Sequence, residues 1–169
     1  MKIPFLDLHA SYIELQNEID SSISRVLSSG RYIGGSEVES FEDEFSNYCG
    51  SNFTIGVANG LDALVLSLKS LDIGMGDEVI VPANTFIATW LAVSEVGAIP
   101  VPVEPNSLTY NIDVEEIQKA ITPKTKAIIP VHLFGQPVDL DPILLLAKQH
   151  NLFIIEDAAQ AIGSRYKEK

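Results

Sequence analysis

Near its end the chain reads "LFIIEDAAQAIGS" (152–164), where four apolar residues run straight into Glu156 and Asp157 and Gln160 follows three positions later. A carboxylate at the end of a buried strand needs a partner, because an unpaired buried charge is costly. A protonated heterocyclic nitrogen would be such a partner. Side chains alternate along a strand, so Glu156 and Asp157 point to opposite faces and at most one aims into a given site. Two plainer readings stay open for this segment: a cap on the following turn, or a Mg²⁺ ligand as in nucleotide-binding folds.

Three further segments carry groups that could join it. In "GVANGLDAL", Gly60 opens a helix, so the amides of Gly60, Leu61 and Asp62 are free donors at a positive dipole end, which is a seat for phosphate. The plainer reading is that Asn59 caps the helix and Gly60 relieves a tight turn. In "PANTFIAT", Phe86 follows a strand and could cover the face of a planar ring; on its own it reads as a core residue. In "PVHLFGQP", His132 has no second His or Cys nearby to form a metal site, which leaves it a supporting role.

These groups need a scaffold that brings them to one place. Residues 10–29 have a helical apolar pattern that stops at Gly30, and "GRYIGG" is a glycine-rich loop. "SEVESFEDEFSNYCG" is a second helix ended by Gly50, its acidic run Glu37 to Glu44 being a solvated face. Strand and helix then alternate. Strands are expected at "FTIGVA" (53–58), "EVIVP" (78–82), "AIPVPV" (98–103, near an edge because of its prolines), "KAIIPVH" (126–132) and "LFIIED" (152–157). Helices are expected at "GLDALVLSLKSL", with an apolar stripe from Leu61 to Leu71, and near 86–96. Two more are expected after Asp113, with Glu116 completing a capping box, and after Asp141, with Pro142 in first position. Continuous apolar strands between amphipathic helices predict an α/β fold, a mostly parallel sheet with helices on both faces. Ligands of such sheets sit beyond the carboxyl ends of the strands.

Composition removes several function classes. The 169 residues carry a net charge of −12, which opposes binding to nucleic acid or to an anionic membrane surface. One cysteine, Cys49, forms no internal disulfide, so nothing favours an oxidising compartment and a cytoplasmic location is expected. The start "MKIPFLDLHASYIEL" is interrupted by Pro4, Asp7 and His9 and lacks the apolar core of a signal peptide. No run approaches the length of a membrane span. Neither G-x-G-x-x-G nor G-x-x-x-x-G-K-[ST] is present, which speaks against a plain dinucleotide or P-loop domain.

A phosphate seat, a flat aromatic and a carboxylate for a ring nitrogen together outline pyridoxal 5'-phosphate. The chain resembles the N-terminal part of the DegT/DnrJ/EryC/StrS family of sugar aminotransferases, of pyridoxal-phosphate fold type I. The matching segments are "IPFLDL", "GRYIGGSEVESFEDEF", "GVANGLDALVLSL", "GDEVIVPANTFIATWLAV", "VHLFGQPVDLDPI" and "IIEDAAQAIGS", in the family's order.

The resemblance implies a truncated large domain. Residues 1–35 would be an N-terminal helix and glycine-rich loop, 36–169 the first part of the cofactor-binding large domain, and the C-terminal small domain would be absent. Gly60 and Leu61 match the pair whose amides hold the cofactor phosphate; many members have Thr where Leu61 stands, so a side-chain contact is missing here. Phe86 matches the aromatic that stacks on the pyridine ring, Asp157 the acid that keeps the ring nitrogen protonated, and Gln160 the residue near the 3-hydroxyl. The family's Schiff-base lysine lies beyond this chain, and Lys167 and Lys169 sit in the wrong context to replace it. The implied substrates are a nucleotide-linked keto-deoxysugar and an amino donor, glutamate. The implied assembly is a homodimer with "GRYIGG" near the boundary, and the implied activity of this chain alone is none. A sugar dehydratase of the same family and a non-catalytic regulator that keeps the fold are the alternatives.

Overall fold

The computed structural model describes residues 4–168. Lys169 and the first three residues, on which parts of the leader and family comparisons fall, lie outside them. By compactness the chain divides between Gly56 and Val57, a different criterion from the division at residue 36 drawn from sequence.

The first unit holds two helices, α1 (Leu8–Ser29) and α2 (Ser36–Cys49). Each ends on a left-handed glycine, Gly30 (φ 67°) and Gly50 (φ 69°), as the sequence signals predict. Neither helix buries a residue, and Ile13, Ile23, Leu27 and Phe41 are exposed. The expected strand at 53–58 does not form. Phe53 and Ile55 are exposed, no strand pairs with them among the described residues, and the Gly56 N–H donates to the Glu42 carboxylate instead of to a ladder. An apolar β-branched run becomes a strand only where a neighbour supplies the other half of the hydrogen bonds.

The second unit is the sheet. Its elements are α3 (Gly60–Ser70), β1 (Glu78–Pro82), α4 (Ile87–Glu95), β2 (Ile99–Val103), α5 (Val114–Ala120), β3 (Thr125–Ile128), α6 (Leu140–His150) and β4 (Phe153–Ile154), with a 3-10 turn at Leu133–Gly135. The strand order is β2-β1-β3-β4 and every pair is parallel. Alternation along β1 sorts the core into two layers. Val79 and Val81 pack with Leu64, Val65 and Leu68 of α3 and with Ala92 and Val93 of α4. Ile80 faces the other way, onto Ile117 of α5 and Ile143 and Leu146 of α6. Helices therefore cover both faces, as predicted.

β2 is an edge strand, and its prolines explain why it can be one. The Ile99 N–H donates to Asp77 (2.9 Å), so odd-numbered donors face β1 while Pro100 and Pro102 lie in the outward phase, where no N–H is needed. The two strands that flank the candidate site are shorter than the expected 126–132 and 152–157. Pro130 is the reason: it has no N–H to give, so the ladder breaks after Ile128 and Ile154 and re-forms as a single bridge between Val131 and Asp157.

Two helix starts differ in detail from expectation. Asp113 accepts from the Glu115 and Glu116 amides, but the Glu116 carboxylate turns to Lys119 (2.7 Å) and does not close the capping box. α6 begins one residue before Asp141, with Asp139 in the cap position and Pro142 third. The Tyr166 hydroxyl takes the Asp141 amide (3.3 Å) while donating to Asp139, which leaves Asp139 no part in capping. Proline is tolerated there because N–H groups in the first turn have no partner in the helix.

Candidate functional site

The site assembles at the carboxyl end of the sheet. α4 leaves the end of β1 and starts there. α3 feeds the beginning of β1 through residues 71–77, so its opposite end, Gly60, also lies toward the carboxyl side. The two helices pack side by side over the same face of the sheet.

At the start of α3, Asn59 is extended (φ −166°, ψ 175°) and its Oδ1 accepts the Asp62 amide (2.9 Å). The expectation of three free amides is therefore corrected to two. The Gly60 and Leu61 N–H groups have no acceptor among the described residues, and a Cβ built on Gly60 would meet nothing within 4 Å. The cap and the phosphate seat coexist, because Asn59 satisfies the third donor and fixes the direction of the first two.

Phe86 immediately precedes α4 and is 70% exposed, which overturns the reading of it as a core residue. One turn on, Thr89 is buried, in hydrogen-bond contact with Thr85 (3.1 Å) and in a long contact with Asp157 Oδ2 (3.5 Å). Thr89 was not singled out in the sequence, although its spacing of three from Phe86 places it on the same helix face.

Asp157 is half-buried. Its N–H donates to Pro130 O (2.9 Å), its carbonyl accepts from His132 N–H (3.0 Å), and its Oδ1 accepts from the Ala159 amide (3.2 Å). No Lys, Arg or His forms an ion pair with it among the described residues. Its carboxylate therefore keeps acceptor capacity for a cation that the described residues do not provide. The neighbouring Glu156 does have a partner: its Oε2 lies 3.2 Å from His132 Nε2. That hydrogen bond, against the opposing effect of partial burial, holds the Glu156 carboxyl below the usual range.

Gln160 is exposed and its Oε1 accepts the Phe134 N–H (2.9 Å). A backbone donor on the oxygen settles which way the amide lies, so the Gln160 NH₂ is the end left to donate. Phe134 is itself held in the left-handed region (φ 58°) and 79% exposed. The buried Asn111 supports this loop, its Oδ1 accepting from Leu133 N–H and its Nδ2 donating to Gln136 O (3.0 Å). Lys167 is remote from this chemistry in its bonding, its ammonium being paired with Asp141. No cluster of potential metal ligands occurs among the described residues, and no helix among them is long and apolar enough to cross a membrane.

A parallel α/β sheet that presents two free helix amides, an exposed ring and a carboxylate without an ion-pair partner among the described residues on one side has groups suited to a small anionic ligand at its strand ends. Residues 14–169 match the DegT/DnrJ/EryC1/StrS aminotransferase family, and the chain belongs to it. It is 56% identical over 167 residues to the dTDP-3-amino-3,6-dideoxy-alpha-D-galactopyranose transaminase of Aneurinibacillus thermoaerophilus, covering 99% of this chain and 46% of that protein. It is 54% identical over 167 residues to the erythromycin biosynthesis sensory transduction protein EryC1 of Saccharopolyspora erythraea, with the same two coverages. The crystal structure of S. venezuelae DesV in complex with a ketimine intermediate superposes with a TM-score of 0.97 at 55% identity, over 99% of this chain and 45% of that one. The chain thus spans less than half the length of the relatives it matches.

Proposed function

We propose that the full-length protein is a pyridoxal-phosphate-dependent aminotransferase that passes an amino group from glutamate to a nucleotide-linked keto-deoxysugar, working as a cytoplasmic homodimer. The observation that carries the reading is Asp157: a half-buried carboxylate at a strand end, braced through its backbone on both sides and matched by no cation among the described residues. Membership of the aminotransferase family and the transaminase names of close relatives support it.

The residues present fit the cofactor. The amides of Gly60 and Leu61 would take its phosphate, and the open space at Gly60 admits it. Phe86 would cover one face of the ring, Asp157 would accept the ring N–H, and the Gln160 amide would donate to the 3-oxygen. When bound, the cofactor supplies an electron sink for carbanionic charge. Asp157 would keep the ring nitrogen protonated, because a full negative charge beside it favours the charged form. The proton-moving lysine comes from outside the residues of this chain.

The test is an amine-transfer assay on the full-length protein with pyridoxal phosphate, glutamate and a panel of dTDP-, UDP- and GDP-linked keto-sugars. A mass shift from ketone to amine, with 2-oxoglutarate formed in equal amount, is the expected result. A protein that binds the cofactor yet aminates no member of the panel favours the regulator reading, which the sensory-transduction name of the 54% identical relative motivates.

A further inference from the structure

His132 is buried, with 6% of its surface exposed, and it is not among the groups that would touch the cofactor. Its two ring nitrogens have different partners. Nδ1 accepts the backbone N–H of Val138 (3.0 Å), and Nε2 lies 3.2 Å from Glu156 Oε2. A nitrogen that accepts an N–H cannot also carry a proton. The neutral ring therefore has its proton on Nε2 and donates it to Glu156. An imidazolium would set an Nδ1–H against the Val138 N–H, donor to donor.

The place of this pair in the sheet gives it work to do. In the parallel ladder between 128 and 157, Ile155 N–H donates to Ile128 O (3.1 Å), Asp157 N–H to Pro130 O (2.9 Å) and His132 N–H to Asp157 O (3.0 Å). The remaining rung in that sequence would run from residue 130 to the carbonyl of Ile155, and Pro130 cannot supply it. The gap falls immediately before Glu156 and Asp157, at the point where the strand must aim one carboxylate to each side. The His132–Glu156 hydrogen bond spans the same two segments at that gap.

We propose that His132 is a positioning residue: as a neutral imidazole protonated on Nε2, it ties Glu156 down in place of the rung that Pro130 removes, and thereby fixes the direction of the Asp157 carboxylate. The hydrogen-bond partners of the ring are the Glu156 carboxylate and the Val138 amide. Asp157 faces away, toward Thr89. The inference rests on the reading of Asp157 as the partner of the ring nitrogen, and its test separates the two.

The experiment uses the full-length protein and pyridoxamine 5'-phosphate, which binds without a covalent link. His132→Gln places an amide N–H where Nε2 was and keeps the Glu156 contact; His132→Asn keeps an acceptor for Val138 but does not reach Glu156. Affinity is expected to survive in His132→Gln and to fall about tenfold or more in His132→Asn, the size of one hydrogen bond to a charged group. Glu156→Ala, at a half-exposed position, should show the same loss, and combining it with His132→Asn should add nothing further. Equal loss in the Gln and Asn variants, or none in Asn, overturns the positioning role. Long-range ¹⁵N–¹H correlation of the His132 ring at pH 7.5 should report the neutral Nε2–H tautomer, and an imidazolium or Nδ1–H signal overturns the brace whatever binds. A wild-type protein with no affinity for the probe overturns the cofactor reading and the positioning role together, while the tautomer measurement still decides the hydrogen bond.

Discussion

Replacing Asp157 by Asn changes one property of the candidate site and few others. The variant keeps an oxygen for the Ala159 amide and a polar atom beside Thr89, and its backbone bonds to Pro130 and His132 are untouched. No protein cation loses a partner, because Asp157 has none among the described residues. The unfolding midpoint of the cofactor-free protein should therefore stay within about 2 °C of wild type, as expected for a change of less than about 0.5 kcal/mol. What disappears is the charged acceptor for a protonated ring nitrogen. A hydrogen bond to a charged group is worth about 1.5–3 kcal/mol, so the dissociation constant for pyridoxamine 5'-phosphate should rise about 10- to 150-fold. Fluorescence titration of the full-length protein at pH 7.5 measures it. A dissociation constant within twofold of wild type, in a protein with an unchanged unfolding midpoint, would remove Asp157 from the site.

Other outcomes follow from the same geometry. Phe86→Ala should leave stability within about 0.5 kcal/mol, because the ring is exposed, and should weaken binding of the same probe about 2- to 13-fold by loss of stacking. Gln160→Glu keeps an acceptor for the Phe134 N–H but loses the donor, so the bound probe should show a shifted absorbance maximum while the thermal midpoint holds; an unchanged spectrum would place the Gln160 amide elsewhere. Leu68→Ala, at a fully buried position in α3, should cost about 2–5 kcal/mol in urea denaturation. Because the His132 donor holds the Glu156 carboxyl below the usual range, the stabilisation it brings is complete at neutral pH and is lost as the pH falls through that lowered value. Carboxyl ¹³C titration should find Glu156 below the usual glutamate range in the wild type and moved upward in His132→Asn.

The parts of the molecule that were legible in the sequence are those where a local pattern and the long-range packing agree. "EVIVP" is buried on both faces and forms the strand its composition predicts, and the stripe Leu64, Val65, Leu68 lies on the buried side of α3. The glycine stops of α1 and α2 and the edge position of the proline-bearing strand were readable for the same reason. Segment 53–58 has comparable β propensity but no neighbour to pair with, and a partner is not a local property. At the start of α6 the competitor was Tyr166, 25 residues from Asp141, whose hydroxyl took the role that spacing assigned to an aspartate. Within the site, the residue types were legible, but the sharing of donors was not. That Asn59 claims one of three amides, and that Phe134 N–H orients Gln160, depends on loop geometry that no spacing rule encodes.

The two prolines of β2 also act on other molecules. An edge strand ordinarily shows a row of alternating donors and acceptors, which is the template on which a second chain adds a strand. Here the outward row offers the carbonyls of Pro100 and Pro102 with no N–H between them, so an incoming strand would find half of its partners missing. Among the described residues the β2 side of the sheet is thereby a poor template for a further strand. The two prolines guard that edge without any charged residue on the strand.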